Sequence, residues 1–322
     1  MIGDRFCGLL GAASCMRALY ERVVLAAGGR ETALIVGESG TGKELVAQAI
    51  HRQSGDPADR FVAVNCAALP RALMESELFG HARGAFSGAT ERRIGLARAA
   101  SGGTLFFDEI TELDVEAQAK LLRLIQERAV RAVGENREVP VQVRIVASTN
   151  EDLAAALARG KLRRDLYYRL QRWVIRVPPL RDRLEDIPLL AGHFAARWHI
   201  SCGAASAPEL TVAALDRLAL HNWPGNVREL ENVVFQACAT ASGRRVGVED
   251  LPLLGEPAAD PAAAVPFGPV SLREAERGAI ASAMAHTAGN KTMAARLLGI
   301  SRKQLYVKLR LYGLTETGPT CP

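Results

Sequence analysis

The segment Leu34 to Glu44, LIVGESGTGKE, spaces Gly37, Gly40 and Gly42 through a polar turn that ends in Lys43 and Glu44. Glycines at this spacing let main-chain N–H groups face phosphate. The start of the following helix adds positive potential, and the Lys43 ammonium can reach the β- and γ-phosphates of a nucleotide. The pattern predicts a phosphate-binding loop formed by Gly37, Glu38, Ser39, Gly40, Thr41, Gly42, Lys43 and Glu44. Glu44 stands where this pattern usually ends in a magnesium-binding Ser or Thr, which leaves Thr41 as the neighbouring hydroxyl. Further along, GGTLFFDEI puts Asp108 and Glu109 at the end of an apolar run. There Asp108 is suited to hold magnesium and Glu109 to polarise the attacking water; capping a helix is the plainer use of such an acidic pair. The run VASTN ends in Thr149 and Asn150, which could sense the γ-phosphate or orient the water, or could serve only a turn. Phosphate loop and acidic pair together point to ATP hydrolysis.

These residues can cooperate only if one scaffold brings them to one edge. Residues 1–180 alternate short apolar runs (32–36, 61–65, 104–107, 143–148 and 173–177) with longer helix-like segments. Five buried strands joined by helical crossovers predict an α/β fold with a parallel sheet, whose ligands gather at the carboxyl ends of the strands. The strand pattern disappears after Pro178, and residues 181–252 read as a small helical domain with breaks at Pro188, around 201–208 and at Pro224-Gly225. Residues 253–270, rich in Pro and Ala, have a linker's composition. The remainder, 271–322, forms a third, all-α unit.

Within that unit, GNKTMAARLLGISRKQLYVKLRLYGL carries two short helical patterns separated by Gly299-Ile300-Ser301. Ala294, Ala295, Leu298, Leu305 and Leu309 supply the inner faces, Gly299 the turn and Ser301 a cap, which is a helix-turn-helix. Between positions 291 and 314 stand Lys291, Arg296, Arg302, Lys303, Lys308 and Arg310 and no acidic residue, the footprint of a DNA-binding surface. Arg302 and Lys303 open the second helix, where base edges are reached, and Lys308 and Arg310 suit phosphates. The net charge of +5 permits a polyanionic partner without locating it. Six scattered cysteines, Cys7, Cys15, Cys66, Cys202, Cys238 and Cys321, lack CxxC spacing and suggest neither zinc nor a disulfide framework. His193 and His199 are not spaced as a one-face helical pair. No apolar run reaches membrane-span length, and the start lacks a signal peptide's pattern, so a cytoplasmic protein is expected.

One stretch fits none of this. In GHARGAFSGATERR, Gly80 to Arg93, a single Phe86 sits among Gly84, Ala85, Ser87, Gly88 and Ala89, with little beside it to bury an aromatic ring. Seven blocks resolve its purpose: GESGTGKE, VNCAAL, ESELFGHARGAFSGA, GGTLFFDE, LRRDLYYRL, VPPLRDRLEDIPLL and WPGNVRELEN. In this order and spacing they resemble the central AAA+ P-loop ATPase domain of bacterial enhancer-binding proteins, the ATP-driven activators of sigma-54 RNA polymerase. The likeness covers nearly all of residues 1–252, and a part resembling the Fis-type DNA-binding module extends it to about residue 314. The resemblance implies an AAA+ fold with a helical lid, ATP and Mg2+ as cofactors, and the glutamate at position 44 as usual. It further implies that Asn65 restrains Glu109, that Arg163 and Arg169 are offered to a neighbouring subunit's ATP, and that Arg228 is a sensor on the lid. Active sites at subunit boundaries require a ring, and the family suggests a hexamer. Gly84, Ala85, Phe86, Ser87, Gly88 and Ala89 would tip a loop that grips sigma-54 and converts hydrolysis into opening of the promoter complex at upstream-bound DNA.

Ser87 departs from the usual Thr, keeping the hydroxyl and losing a methyl worth at most ~1 kcal/mol of apolar contact. From the residues alone, the Arg163 guanidinium could simply pair with Asp165 at the surface. The chain begins within what resembles the ATPase domain, with no regulatory domain ahead of it; control then falls to a partner protein, to abundance, or to a domain lost by truncation. The competing reading is a DNA-binding regulator in which ATP only promotes assembly, while an unfoldase or helicase subunit does not explain the GAFSGA tip joined to a helix-turn-helix.

Overall fold

The structure, a computed structural model, describes residues 4–86, 89–203, 206–241, 245–252, 280, 283–284, 287, 290–300 and 302–312. Ser87, Gly88, positions 253–270 and the expected Ser301 cap lie outside the described residues, and at positions 71, 296, 297, 303 and 310 the backbone alone is described. The chain divides into two compact units, residues 1–257 and 258–322.

The first unit is built on a five-stranded parallel sheet: β1 (Ala33–Val36), β2 (Phe61–Asn65), β3 (Thr104–Asp108), β4 (Arg144–Thr149) and β5 (Trp173–Arg176), in the order β5-β1-β4-β3-β2. Side chains alternate between the two faces, as the pleat requires. On β3, Leu105 and Phe107 join a core with helices α3 (Arg71–Phe79), α4 (Val115–Glu127) and α5 (Arg164–Leu170). Phe106 points the other way, into a core with α1 (Ser14–Ala27) and α2 (Lys43–Gln53). Both faces being covered explains why these strands read as unbroken apolar runs. One polar exception is Arg144 in β4, fully buried, whose guanidinium donates to the carbonyls of Ala26 and Ala27 at the end of α1. Burial lowers its pKa, and the orphan carbonyls of the helix end, where the dipole is negative, give it partners.

The helical part packs α6 (Ile187–Cys202), α7 (Val212–Ala219) and α8 (Asn226–Thr240) around Trp223, a fully buried indole donating to the Leu218 carbonyl at 2.9 Å. Pro188 sits in the first turn of α6, where its missing N–H costs nothing. Within this helical part the structure adds a strand pair to the sequence pattern: Glu209–Leu210 pairs in parallel with Arg245–Val246. Two residues are too few to display an alternation.

The second unit contains α9 (Lys291–Leu297) and α10 (Arg302–Leu311), turned by Gly299 at φ +66°. Ala294, Ala295, Leu305 and Leu309 form its buried centre with Ile280 and Ala283, and Leu298 packs against them.

Candidate functional site

The carboxyl ends of the central strands converge. Gly37 follows β1 and donates its N–H to the Thr149 carbonyl at the end of β4, while Asp108 ends β3 beside Asn65 at the end of β2. The loop from Gly37 then turns through Gly40 and Gly42, both at positive φ, into α2. Its first residue, Lys43, is buried, with Nζ donating to the carbonyls of Gly37 (3.0 Å) and Glu38 (3.4 Å) and lying 3.1 Å from a Glu109 carboxylate oxygen. The Thr41 hydroxyl donates to the Glu38 carbonyl at 2.8 Å, so it braces the loop from within. Glu44 is exposed and accepts from Gln48, one turn along the helix.

Glu109 is the strained residue of the site. It holds a left-handed backbone at φ +57°, ψ +64°, a conformation that costs a non-glycine residue roughly 1–2 kcal/mol. That turn lets one carboxylate oxygen face Lys43 while the other accepts the Asn150 N–H at 3.0 Å. Ser148, buried in β4, ties the acidic pair together: its hydroxyl donates to Asp108 Oδ1 (2.6 Å) and accepts the Glu109 N–H (3.2 Å). Ser148 was invisible in the sequence, where it reads as one more small residue of a buried strand; its position just before Thr149-Asn150 was the available signal. The Thr149 hydroxyl accepts the Glu151 N–H. Asn65 and Glu109 are not joined in this structure. The Asn65 side-chain Oδ1 caps the turn at 66–68 by accepting the N–H groups of Ala67 (3.0 Å) and Ala68 (3.2 Å). Directly beneath, burial first and then the charges of Asp108, Glu109 and Glu112 push the Cys66 thiol up to about 12, keeping it neutral.

Further contacts reach the loop from the helical part, between residues too far apart in sequence to leave a local signal. Arg181 grips Glu38 with two nitrogens (2.8 and 2.5 Å), and this guanidinium holds the Glu38 carboxyl below its ordinary pKa. Asn226, buried at φ +53°, donates to Glu38 Oε2 (3.0 Å) and the Ser39 carbonyl (3.1 Å) while accepting the Leu180 N–H (2.8 Å). Arg228 donates its N–H to the Gly40 carbonyl and its guanidinium to the Ser39 hydroxyl, each at 3.3 Å. Below them, buried Arg183 reaches the Thr41 carbonyl (3.2 Å), and buried Asp186 accepts the N–H groups of Ala12 (2.6 Å) and Ala13 (2.9 Å).

The other sequence-predicted residues lie apart from this centre. Arg163 forms the two-point pair with Asp165 (3.1 and 2.8 Å), which raises the pKa of the arginine and lowers that of the acid. Arg169 is exposed at the opposite, amino edge of the sheet. Its carbonyl accepts from Thr32, just before β1, and it lines a cavity of about 300 Å³ with Arg30, Arg128 and Arg172. Phe86 is less isolated than its flanking residues suggest: 38% exposed, its ring stands edge-on to His81 with centroids 5.0 Å apart, and His81 Nδ1 is 2.6 Å from the Ser76 hydroxyl of α3. Ala82 and Gly80 bond to Val133 in the turn of the hairpin formed by Ala129–Arg131 and Glu138–Pro140, so the base of the tip is braced from a second element. Among the described residues no group of three or more His, Cys, Asp or Glu could hold a metal, and no helix is long and apolar enough to cross a membrane.

Residues 9–176 match the family profile of the sigma-54 interaction domain, residues 181–263 the AAA+ ATPase lid domain, and residues 271–312 the bacterial regulatory proteins of the Fis family. The chain belongs to the sigma-54-dependent transcriptional activators. It is 47% identical over 306 residues to the transcriptional regulatory protein ZraR of Escherichia coli K12, covering 94% of this chain and 68% of that protein. It is 45% identical over 311 residues to the response regulator protein PilR of Pseudomonas aeruginosa, covering 95% and 70%. The crystal structure of NtrX from Brucella abortus in complex with ATP superimposes with a TM-score of 0.69 at 32% identity, covering 95% of this chain and 69% of that one. The activator is therefore an AAA+ ATPase that binds ATP and couples hydrolysis to sigma-54-dependent transcription, with a Fis-type helix-turn-helix for DNA.

Ser148→Ala removes the hydroxyl that orders Asp108 and Glu109 but touches nothing in the phosphate loop. ATP affinity is expected to stay within about twofold while hydrolysis falls about tenfold, the effect of one misplaced hydrogen-bonded group. Fluorescent-nucleotide titration beside a phosphate-release assay separates the two.

Proposed function

We propose that this activator works as a ring in which each ATP is bound by one subunit and completed by arginines of the next. Within a subunit, the phosphate loop Gly37–Glu44 cradles the nucleotide and Lys43 exchanges its bonds to the loop carbonyls and Glu109 for phosphate oxygens. The Asp108 carboxylate, at the strand end next to Glu109 and held by Ser148, is the hard oxygen donor that fits Mg2+, which when bound would neutralise phosphate charge. Glu109, freed from Lys43, accepts a proton from the attacking water, and Thr149 and Asn150 hold that edge of the site. Asn65 lies one strand away, poised to draw the Glu109 side chain aside. Arg228, already on the Ser39 hydroxyl, carries the nucleotide state to the lid.

The observation that carries the ring is the place of Arg169. It stands at the amino end of β1, whereas its own phosphate loop leaves the carboxyl end, roughly 13 Å further along at about 3.3 Å per residue. That place supports a guanidinium serving a neighbour's phosphates rather than its own. Arg163, paired with Asp165, exchanges one anionic partner for another, and its planar fork suits developing γ-phosphate charge. Heterologous contacts of this kind close into a ring, and six is the number the family suggests. Output passes through Gly84, Ala85, Phe86, Ser87, Gly88 and Ala89 to sigma-54. On DNA, Lys291, Arg296, Arg302, Lys303, Lys308 and Arg310 make the basic face, as a palindrome-reading dimer.

Arg163→Ala and Arg169→Ala are each expected to lower ATPase activity at least 100-fold, as loss of an arginine finger does. Mixing either with Lys43→Ala protein restores part of the turnover, because a mixed ring pairs an intact loop with intact arginines. Absence of rescue at every mixing ratio would place the arginines in service of their own subunit.

Phe86→Ala leaves nucleotide binding and basal hydrolysis within about twofold, since its ring touches His81 and none of the phosphate-binding residues, yet abolishes capture of sigma-54 in a gel-shift assay. Ser87→Thr captures sigma-54 at least as well as the unaltered protein. Capture by Phe86→Ala at the unaltered level would remove the tip from the output path.

A further inference from the structure

We propose that Val307 reads a thymine in the DNA site of this activator by packing against the 5-methyl group in the major groove. The proposal deepens, and rests on, the DNA-binding reading of the helix-turn-helix. Among the described residues of α10 the buried side chains are Leu305 and Leu309. At about 100° per residue, position 307 lies nearly opposite both. The exposure agrees, since Val307 is 62% accessible. Positions 303 and 310, four before and three after, share that outward face, and both are basic in sequence. Val307 is thus an exposed apolar position on the outward side of a helix whose sequence is basic.

A valine there has nothing to offer a phosphate. No acidic residue occurs between positions 291 and 314, so the face is charge-complementary to nucleic acid rather than to a basic or neutral protein groove. Of the groups that base pairs expose in the major groove, the thymine methyl is the apolar one. Valine is also suited to such a contact because its β-branch fixes one rotamer in a helix, so little conformational freedom is lost on docking. The helix carrying it is braced: Lys291 of α9 places its ammonium 5.4 Å from the ring centroid of Tyr306, the residue beside Val307. Leu311 is also exposed, at 59%, but it ends the helix, one turn beyond the part that enters a groove.

The test begins by selecting binding sites from a random double-stranded library with the full chain, then replacing each thymine of the selected site by deoxyuridine, which deletes only the methyl group. The expected result is one position per half-site at which deoxyuridine weakens binding about fourfold, the worth of one buried methyl. The penalty disappears in Val307→Ala and persists in Leu311→Ala. Equal penalties in the unaltered protein and Val307→Ala, or none at any thymine, would overturn the proposal while leaving DNA binding intact. Failure to enrich any sequence would overturn the DNA-reading assignment itself, and the role of Val307 with it.

Discussion

The main chain of the phosphate loop runs directly against the main chain of the lid. A Cβ added to Gly40 would lie 2.2 Å from the Gly225 carbonyl oxygen, so only a glycine lets loop and lid close to this distance. Gly40 also needs its positive φ of +77°. Around that contact bonds from Arg181, Asn226 and Arg228 end on Glu38, Ser39 and Gly40, the turn proposed to wrap phosphate. The turn Trp223-Pro224-Gly225-Asn226 meets the loop only because Trp223 and Asn226 both take left-handed backbone, at φ +52° and +53°. For tryptophan this is an unusual conformation, held by complete burial and its own N–H bond. Packed interfaces of this kind respond to a ligand by shifting as units rather than by bending, which is how a phosphate can move a lid.

The site and the tip are joined by contiguous contacts in chain order. Asn65 caps the 66–68 turn, that turn leads into α3, α3 supplies Ser76 to His81, and His81 seats Phe86. The second brace, Val133 on Gly80 and Ala82, comes from the hairpin that follows α4. Such a chain is a candidate route for coupling, and it becomes one only if Asn65 has two states, one on the turn and one on Glu109. The strained backbone of Glu109 and its split bonds to Lys43 and Asn150 show a carboxylate held by replaceable partners.

Much of this was legible in the residues. The five strands announce themselves because both faces of a parallel sheet are buried, and the phosphate loop does so because its glycines answer to geometry rather than to packing. What escaped is what depends on distant pairing. Ser148, Arg183 and Asp186 look like an ordinary strand residue and surface charges until the fold buries them against Asp108, Thr41 and Ala12. The Thr41 hydroxyl, a candidate magnesium ligand by proximity in sequence, turns inward to the Glu38 carbonyl. For Arg163, the plain surface pair with Asp165 is the contact present within one subunit. The seat of Phe86 on His81 hides in the sequence because a five-residue separation across a glycine turn carries no periodic signal.

The central claim is that hydrolysis at Lys43, Asp108 and Glu109 drives remodelling of the promoter complex, and open-complex formation measures it most directly. Purified activator, sigma-54 RNA polymerase and a promoter carrying the activator's selected binding site are probed for single-stranded DNA around the start site. The account predicts opening with ATP and none with a non-hydrolysable analogue or with the Glu109→Gln protein, although both still assemble. Opening of equal extent with the analogue would show that nucleotide serves assembly alone and would contradict the motor.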